Sequence, residues 1–274
     1  MSVIDNTIPT PASAPRRTAT SGGWWRGLIA AAGLIGIWWA VVAMAGMPAF
    51  LLPAPDRVAV AIWVNRAMLA DHALITALEI ALGLGAGAMV GITAALAIAG
   101  APKLGRWMMP VMVGAQALPV FALAPLLTLW FGYGFTPKIV MAGLIIFFPV
   151  AIAFLDGLRR TEPGWLDMAR VMGAPPARRL LLIRLPAALP ALASGLRVAA
   201  AVAPIGAVVG EWVGSSAGLG YLMLHANGRM KTDLMFAALA VLVAITLLLY
   251  LAVDRGLRAA MPWQADALDG PPAT

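Results

Sequence analysis

The sequence contains no cysteine, and this absence excludes disulfides, thiol catalysis and cysteine-based metal sites. Histidine is almost absent as well. His72 and His225 stand alone, and neither has a second ligand at metal-binding spacing. Each is expected at a membrane interface. The sequence therefore predicts no metal site.

Charged residues are also scarce, at 11% of the 274 residues, whereas 62% of the residues are hydrophobic. Soluble domains carry roughly 25% charged residues, so this composition predicts a protein whose main solvent is lipid. The formal net charge is +7. Because the basic residues cluster between apolar runs, this charge indicates the positive-inside rule of membrane proteins and not a nucleic-acid partner.

Catalytic machinery is missing too. The sequence has no G-x-x-x-x-G-K-[ST], so no segment is expected to cradle the phosphates of ATP. Ser215 and Ser216 have no base beside them in sequence. The apolar runs hold almost none of the paired polar groups that an intramembrane protease or a lipid transferase needs. The sequence thus predicts a protein that moves a solute without transforming it, with no catalytic residue.

Six apolar runs are each long enough, at about 20 residues, to cross the hydrocarbon core of a bilayer as a helix. They predict an all-α polytopic membrane protein with about six transmembrane helices, at about residues 27–46, 73–99, 108–131, 139–156, 188–210 and 234–253. The first run ends in Ala43-Met44-Ala45, which mimics a signal-peptide cleavage site, but its length favours an uncleaved anchor. Prolines are expected to bend spans three to five, while glycines permit close packing. These prolines are Pro119, Pro125, Pro149, Pro190 and Pro204.

The segments around these runs complete the predicted organisation. Residues 1–23, rich in proline, serine and threonine, are predicted to be a disordered tail, residues 24–262 the transmembrane domain, and residues 263–274 a second tail. An amphipathic stretch within residues 47–72 is predicted to lie along the membrane surface. Residues 211–233 predict a Gly/Ser turn followed by a short helix.

Lysine and arginine are distributed unequally between the two sides of the predicted spans. With both termini inside, the inner segments hold thirteen basic residues, the outer segments hold five, and Arg197 lies within a span. The excess predicts that both termini and the 157–187 loop are cytoplasmic. The five outer residues are Arg57, Arg66, Lys138, Arg229 and Lys231.

The 157–187 loop carries a specific spacing of residues. Gly173 follows Asp167 by six positions, and nine residues then separate it from an I-x-L-P sequence. This pattern resembles the EAA loop of ABC-transporter permeases, although aspartate replaces the glutamate and Met168 replaces the first alanine. The resemblance identifies a candidate coupling loop. Its residues are Asp167, Met168, Ala169, Gly173, Arg178, Arg179, Ile183, Leu185 and Pro186.

The resemblance to permeases covers about residues 50–262. Trp130–Val150, Asp156–Ala174 and Gly210–Leu239 look like the branch that serves taurine, aliphatic sulfonates, nitrate and the hydroxymethylpyrimidine precursor of thiamine. The sequences of these three segments are most similar to those of the thiamine-precursor members. Because one architecture hosts many ligands, the substrate stays open between a small pyrimidine, which is favoured, and a sulfonate, taurine or nitrate.

The resemblance implies an importer of the bacterial inner membrane. Two permease copies, expected to be identical, would form the pathway, and a periplasmic or lipid-anchored binding protein would deliver the substrate. Two cytoplasmic ATPases would hydrolyse ATP, so the chain itself would be no enzyme and would bind no cofactor directly. The coupling loop would lodge in a groove of the ATPase and transmit its closure as a rigid-body switch.

Individual loop residues have expected roles within this resemblance. Gly173 would permit the sharp turn after a short helix. Arg178 and Arg179 would either pair with acidic groups of the ATPase or meet anionic lipid headgroups. Asp167 follows Pro163 closely, so its carboxylate would also lie near the positive, N-terminal end of a helix dipole.

Arg197 is the one cation well inside a predicted span. A charge at the bilayer centre costs roughly 2.5–3.5 kcal/mol on insertion scales, so the side chain is expected to face protein or water. An intramembrane ion pair with Asp156 or Glu211 is predicted in preference to a substrate contact. Glu79 is expected to contact a headgroup or Arg66 at the outer interface.

Two other functions compete with an ABC permease. A stand-alone channel or secondary carrier needs ionisable residues along its pathway, and only Arg197 is clearly deep in a run. A structural assembly subunit without transport leaves the loop spacing unexplained. The loop therefore favours the permease.

Overall fold

The computed structural model describes residues 23–116 and 118–263, and every regular element within these ranges is helical. This confirms the all-α prediction. Apart from Gly23 and Trp263, the two predicted tails lie outside the described residues. The helices are α1 (Gly23–Ala45), α2 (Pro55–Val64), α3 (Arg66–Gly100), α4 (Pro102–Gln116), α5 (Val120–Phe131), α6 (Phe135–Arg159), α7 (Pro163–Val171), α8 (Pro176–Arg179), α9 (Leu185–Gly214), α10 (Leu219–Gly228) and α11 (Thr232–Ala260), with a π-helical turn, Leu180–Arg184, between α8 and α9.

The chain divides into two compact units, Met1–Met47 and Pro48–Thr274. In the first unit, α1 contains the apolar stretch Ile29–Ala45, which is shorter than the four long apolar helices of the second unit. Leu34 and Ile37 are among its exposed apolar side chains. The outward-facing apolar surface of α1 agrees with the predicted apolar run at residues 27–46.

The second unit holds four helices that are long and apolar enough to cross a membrane. They contain the second, fourth, fifth and sixth predicted runs, and they are Arg66–Gly100, Phe135–Arg159, Pro176–Gly214 and Thr232–Ala260. The third predicted run is broken into Lys103–Gln116 and Val120–Phe131, which meet at 99°. The described residues therefore provide four spanning helices, or five if the bent pair is one span, where six were expected.

Proline explains the break in the third run. Pro119 directly precedes α5 as its N-cap residue, and a proline there has no N–H to continue the hydrogen bonds of α4. By contrast, α5, α6 and α9 continue as helices through Pro125, Pro149, Pro190 and Pro204. Of the five prolines expected to bend the spans, Pro119 thus lies at the break itself.

Helix α6 packs against α3 on one side and α9 on another, and glycines set both distances. Gly83, Gly87 and Gly91 recur every fourth residue on the buried face of α3. A Cβ at Gly87 would lie 2.7 Å from the carbonyl oxygen of Gly143 on α6, which is closer than side chains tolerate. The close packing expected from glycines is confirmed on this face.

The face of α9 that meets α6 is built in the same way. A Cβ at Gly195 would lie 2.9 Å from the carbonyl oxygen of Pro149, and one at Gly206 would lie 2.5 Å from the Cα of Ala142. A Cβ at Gly210 would lie 3.1 Å from the Cα of Lys138. Backbone-to-backbone contact therefore holds α6 on two sides.

The two longer connections carry the elements predicted for them. In the first, α2 exposes Val60, Trp63 and Val64 and is followed at once by α3, which begins at Arg66, well before residue 73. In the second, α9 ends at Gly214, a turn follows, and α10 begins at Leu219. The short helix predicted within residues 211–233 is thereby confirmed.

Candidate functional site

The candidate coupling loop connects the end of α6 to the start of α9. Its first half is α7, which begins at Pro163, where proline is tolerated because the first helical N–H needs no partner. Asp167 lies beyond the first turn of α7, so it does not interact with the helix N-terminus as its position after Pro163 had suggested. Its Oδ1 instead accepts a hydrogen bond from Nη1 of Arg170 at 2.6 Å.

Gly173 ends α7 with a left-handed backbone, at φ +73°. The N–H of Gly173 donates to the carbonyl of Arg170, and the N–H of Ala174 donates to the carbonyl of Ala169, both at 2.9 Å. This glycine-terminated turn satisfies the last carbonyls of the helix. No atom lies within 4 Å of a Cβ placed on Gly173, so the glycine is required by its backbone angle and not by crowding.

The second half of the loop returns the chain to the bundle. Arg178 and Arg179 end the short helix α8, where Arg178 is exposed and Arg179 is half-buried. Ile183 lies in the π-helical turn, and Leu185 and Pro186 open α9. The loop residues thus lie in one continuous segment that forms a helix, a turn and a second helix. Within the first helix Met168 is exposed and Ala169 is buried.

A buried pair of charges, which sequence reasoning missed, joins α3 to α6. Nζ of Lys138 donates to Oε1 of Glu79 at 2.6 Å and to Oγ of Ser215 at 2.7 Å. The side chain of Glu79 is 0% exposed and that of Lys138 is 6% exposed. The expected contact of Glu79 with Arg66 or a headgroup is therefore wrong, because the carboxylate faces α6 inside the protein.

Glu211 lies beside this pair and holds the start of α10. Its Oε1 accepts a hydrogen bond from Oγ1 of Thr76 at 2.6 Å, and its Oε2 accepts the N–H groups of Gly220 and Tyr221. Oγ1 of Thr76 accepts the N–H of Leu219 at 2.8 Å. The first N–H groups of a helix have no partner within it and carry partial positive charge, so a buried carboxylate is well placed there.

Two further contacts complete the N-terminus of α10. The N–H of Gly218 donates to Nδ1 of His72 at 2.9 Å. Gly218 has φ +110°, and a Cβ on it would collide with the carboxylate of Glu211. Only glycine fits this position. We call the set His72, Thr76, Glu79, Lys138, Glu211 and Ser215 the buried polar cluster.

Arg197 forms an ion pair, but the predicted partners are wrong. Its Nε donates to Oδ1 of Asp254 on α11 at 2.7 Å, and the other oxygen of Asp254 accepts from Nε of Arg258 at 2.9 Å. Glu211 is committed to the N-terminus of α10, and Asp156 is exposed on α6. The sequence signal for Asp254 was its place directly after the last apolar run, whereas Asp156 is the final residue of the fourth run.

An open pocket of about 410 Å³ lies between the middle parts of α6 and α9. Its polar side chains are Gln116, at the end of α4, and Ser194. Phe148, Ile152 and Val198 are among its apolar residues, and no charged residue lines it. The surface can offer hydrogen bonds and an aromatic face to a small neutral molecule, but no ion pair.

Comparison with known proteins gives these features a context. A family model described as "binding-protein-dependent transport system inner membrane component" matches residues 87–263. The chain is 53% identical, over 81% of its length and 90% of the relative, to a probable ABC transporter permease protein of Haemophilus influenzae. It is 36% identical, over 96% of its length and 100% of the relative, to the riboflavin transport system permease protein RibX of Chloroflexus aurantiacus.

A third relative and a solved structure agree with this match. The formylaminopyrimidine transport permease protein ThiX of Halalkalibacterium halodurans is 33% identical over 84% of this chain and 92% of its own. The inward-facing MetNI methionine ABC transporter shares the fold, with a TM-score of 0.57 and 22% identity over 72% of this chain and 96% of that one. The chain therefore belongs to the family of binding-protein-dependent transport system inner membrane components, the permeases of ABC transporters.

Proposed function

We propose that this chain is the membrane-spanning subunit of an ATP-driven importer and that the loop from Asp167 to Pro186 couples it to a separate ATPase. The observation that carries this proposal is the form of the loop. Helix α7 exposes Trp165, Met168 and Val171, and Met172 is exposed just after its end, so no helix of the described residues covers them. Exposed apolar side chains on a short protruding helix favour a protein partner.

The connections of the loop support a role in transmission. It leaves the end of α6 and enters α9 through the π-helical turn Leu180–Arg184, and α6 and α9 pack closely along each other. ATP hydrolysis in the partner would move the loop, and the two helices would follow as a rigid body between inward-facing and outward-facing states. Family membership and this loop together favour the importer over a stand-alone channel or secondary carrier.

Gly173 offers a direct test of coupling. Valine is strained at φ +73°, whereas asparagine tolerates this backbone region, so Gly173→Val should distort the loop and Gly173→Asn should preserve it. We expect Gly173→Val to reach the membrane at normal levels but to lose co-purification of the ATPase and solute uptake. Normal co-purification and uptake by Gly173→Val would contradict the coupling role.

The orientation of the loop is part of the same proposal. The charge distribution supports both termini and the loop in the cytoplasm of a bacterial inner-membrane protein. Reporter fusions after Arg160 and Arg258 should give cytoplasmic signals, and a fusion near Gly214 should give a periplasmic signal. The inverted pattern would remove the docking proposal, because the loop would never meet an ATPase.

The remaining partners follow from the family. A binding protein outside the membrane would deliver the solute, and a second copy of the permease would complete the pathway, in contact with membrane lipid. The family description names binding-protein-dependent transport, which supports the first of these partners. Affinity purification of the tagged chain beside an untagged copy, followed by mass measurement of the intact complex, tests the proposed homodimer.

For the solute we favour a small neutral heteroaromatic molecule, the pyrimidine precursor of thiamine being the first candidate. The uncharged pocket with Gln116, Phe148 and Ser194 supports such a solute, and one relative is named for formylaminopyrimidine transport. Riboflavin, for which another relative is named, is also a neutral heteroaromatic molecule. Sulfonates are less favoured, because Arg197 is already engaged in an ion pair with Asp254.

Growth assays separate these solutes. In a strain unable to make the pyrimidine, loss of the gene should prevent rescue by low external hydroxymethylpyrimidine, while sulfonate use continues. Loss of growth on sulfonates with intact pyrimidine rescue would reverse the assignment. Direct binding of each solute to the cognate binding protein provides a second measurement that does not depend on the permease.

A further inference from the structure

Three arginines converge on a second pocket, at the end of the bundle where α3 and α6 finish and α9 begins. The pocket has a volume of about 450 Å³ and is lined by Arg106 of α4, Arg159 of α6 and Arg184 of the π-helical turn. The other lining residues are apolar or glycine, and none is acidic. We propose that this pocket binds the phosphate group of an acidic phospholipid.

Arg184 provides the fixed part of the site. Its Nε donates to the carbonyl oxygen of Leu158 at 2.9 Å, and its Nη1 donates to that of Ala99 at 3.4 Å. Both carbonyls belong to the last turns of their helices, where cations are favoured. These bonds hold the guanidinium at the pocket while its other N–H groups stay available for an anion.

Arg106 and Arg159 provide charge that the chain itself does not balance. Neither takes part in the ion pairs formed among the described residues 23–116 and 118–263. Both line one pocket with Arg184, so the three positive charges repel one another. An anion bound between these groups would remove this cost, and arginine forks suit phosphate oxygens.

The surroundings favour a lipid as the source of the phosphate. Helix α4 carries Trp107, which is 81% exposed, next to Arg106, and Leu104 and Val111 are exposed on the same helix. Tryptophan beside basic residues is typical of the membrane–water interface, and basic pockets between spanning helices bind lipid headgroups. A headgroup in the pocket would leave its acyl chains on the apolar surface of α4.

The test uses the purified full-length chain and native mass spectrometry with added phosphatidylglycerol or phosphatidylcholine. Arg106→Gln/Arg159→Gln removes the two exposed arginines and keeps Arg184, whose bonds to carbonyls support the packing. Arg229→Gln/Arg255→Gln removes the same charge at two exposed positions outside the pocket and the loop, and it serves as the matched control. We expect the double pocket variant to bind phosphatidylglycerol at least about tenfold more weakly than the wild type. The control should bind it normally.

Several outcomes would overturn the proposal. Equal binding of the two lipids by the wild type, or a preference for phosphatidylglycerol that survives in the pocket variant, would show that the arginines do not select an acidic lipid headgroup. Arginine-dependent binding of inorganic phosphate without any lipid preference would assign the site to the free ion. Loss of ATPase co-purification with unchanged lipid affinity would assign the pocket to the protein partner.

Discussion

Asp167 and Arg170 on α7 lie 2.6 Å apart, the same separation as Glu79 and Lys138, yet the two pairs lie in opposite surroundings. The side chains of the first pair are 63% and 61% exposed, whereas those of the second are 0% and 6% exposed. Water screens the exposed pair, so either partner can turn toward another protein at little cost. The buried pair has no such alternative, because a lone charge there would be left without solvation.

The two regions therefore combine polar groups in different ways. The coupling loop presents side chains whose local partners are easily replaced. The buried polar cluster connects α3, α6, α9 and α10 through bonds that are nearly all made. The exposed pair on α7 can therefore exchange its partners at little cost, whereas the buried polar cluster cannot.

The strongest test of the contrast is to break the buried pair. Lys138→Met leaves Glu79 without its cation, and removing one partner of a buried pair typically costs about 3–5 kcal/mol. We expect this loss in the free energy of unfolding, measured by denaturant titration of the detergent-purified protein. The double variant Lys138→Met/Glu79→Gln removes both charges and should recover part of the loss. An unchanged unfolding free energy in Lys138→Met would show that the pair is solvated after all.

A smaller effect is expected where α3 meets α6. Gly87→Ala places a Cβ 2.7 Å from the carbonyl oxygen of Gly143 and 2.8 Å from Cβ of Ile146, so the helices must separate. Overpacking of this kind costs about 1–3 kcal/mol in the free energy of unfolding. Gly85→Ala, two residues earlier and with nothing within 4 Å, is the matched control and should be neutral or stabilising. Equal melting temperatures for the two variants would mean that the glycine contact does not set the helix distance.

The smallest effect is expected at the exposed pair. Arg170→Gln removes its cation, and exposed ion pairs contribute about 0–1 kcal/mol. We expect the melting temperature to stay close to that of the wild type at low and at high salt, with Asp167→Asn behaving in the same way. A loss as large as that of Lys138→Met would assign the loop pair to the stability of the fold.

The candidate coupling loop could be proposed from the sequence because its pattern is local. Asp167, Gly173 and Pro186 lie within one short segment, and their spacing alone identifies it. The apolar runs likewise predicted the helices, since apolar content follows directly from the residues. Proline predicted a bend near Pro119 but not its 99° angle, because the angle depends on what each half packs against.

The buried polar cluster could not be found in the same way. Glu79 and Lys138 are 59 positions apart, and Thr76 and Glu211 are 135 apart, so only the fold brings them together. Lys138 was assigned to an outer segment because the predicted run began at residue 139. In the structure α6 begins at Phe135, so Lys138 lies within the helix. The expectation that Arg197 pairs with a carboxylate is correct. The sequence alone did not distinguish Asp254 from the other acidic residues that could have paired with it.

The glycine contacts on both sides of α6 have a mechanical consequence. Helices that meet through interlocking side chains can shift when those side chains change rotamer, but where backbones touch, as at Gly87 and Gly206, no side chain lies between them to rearrange. Helices α3, α6 and α9 would then move together as one rigid unit. A displacement applied to the loop between α6 and α9 would not be absorbed near the point of contact. It would be transmitted to the opposite end of these helices, where the start of α10 is bonded to α3 and α9.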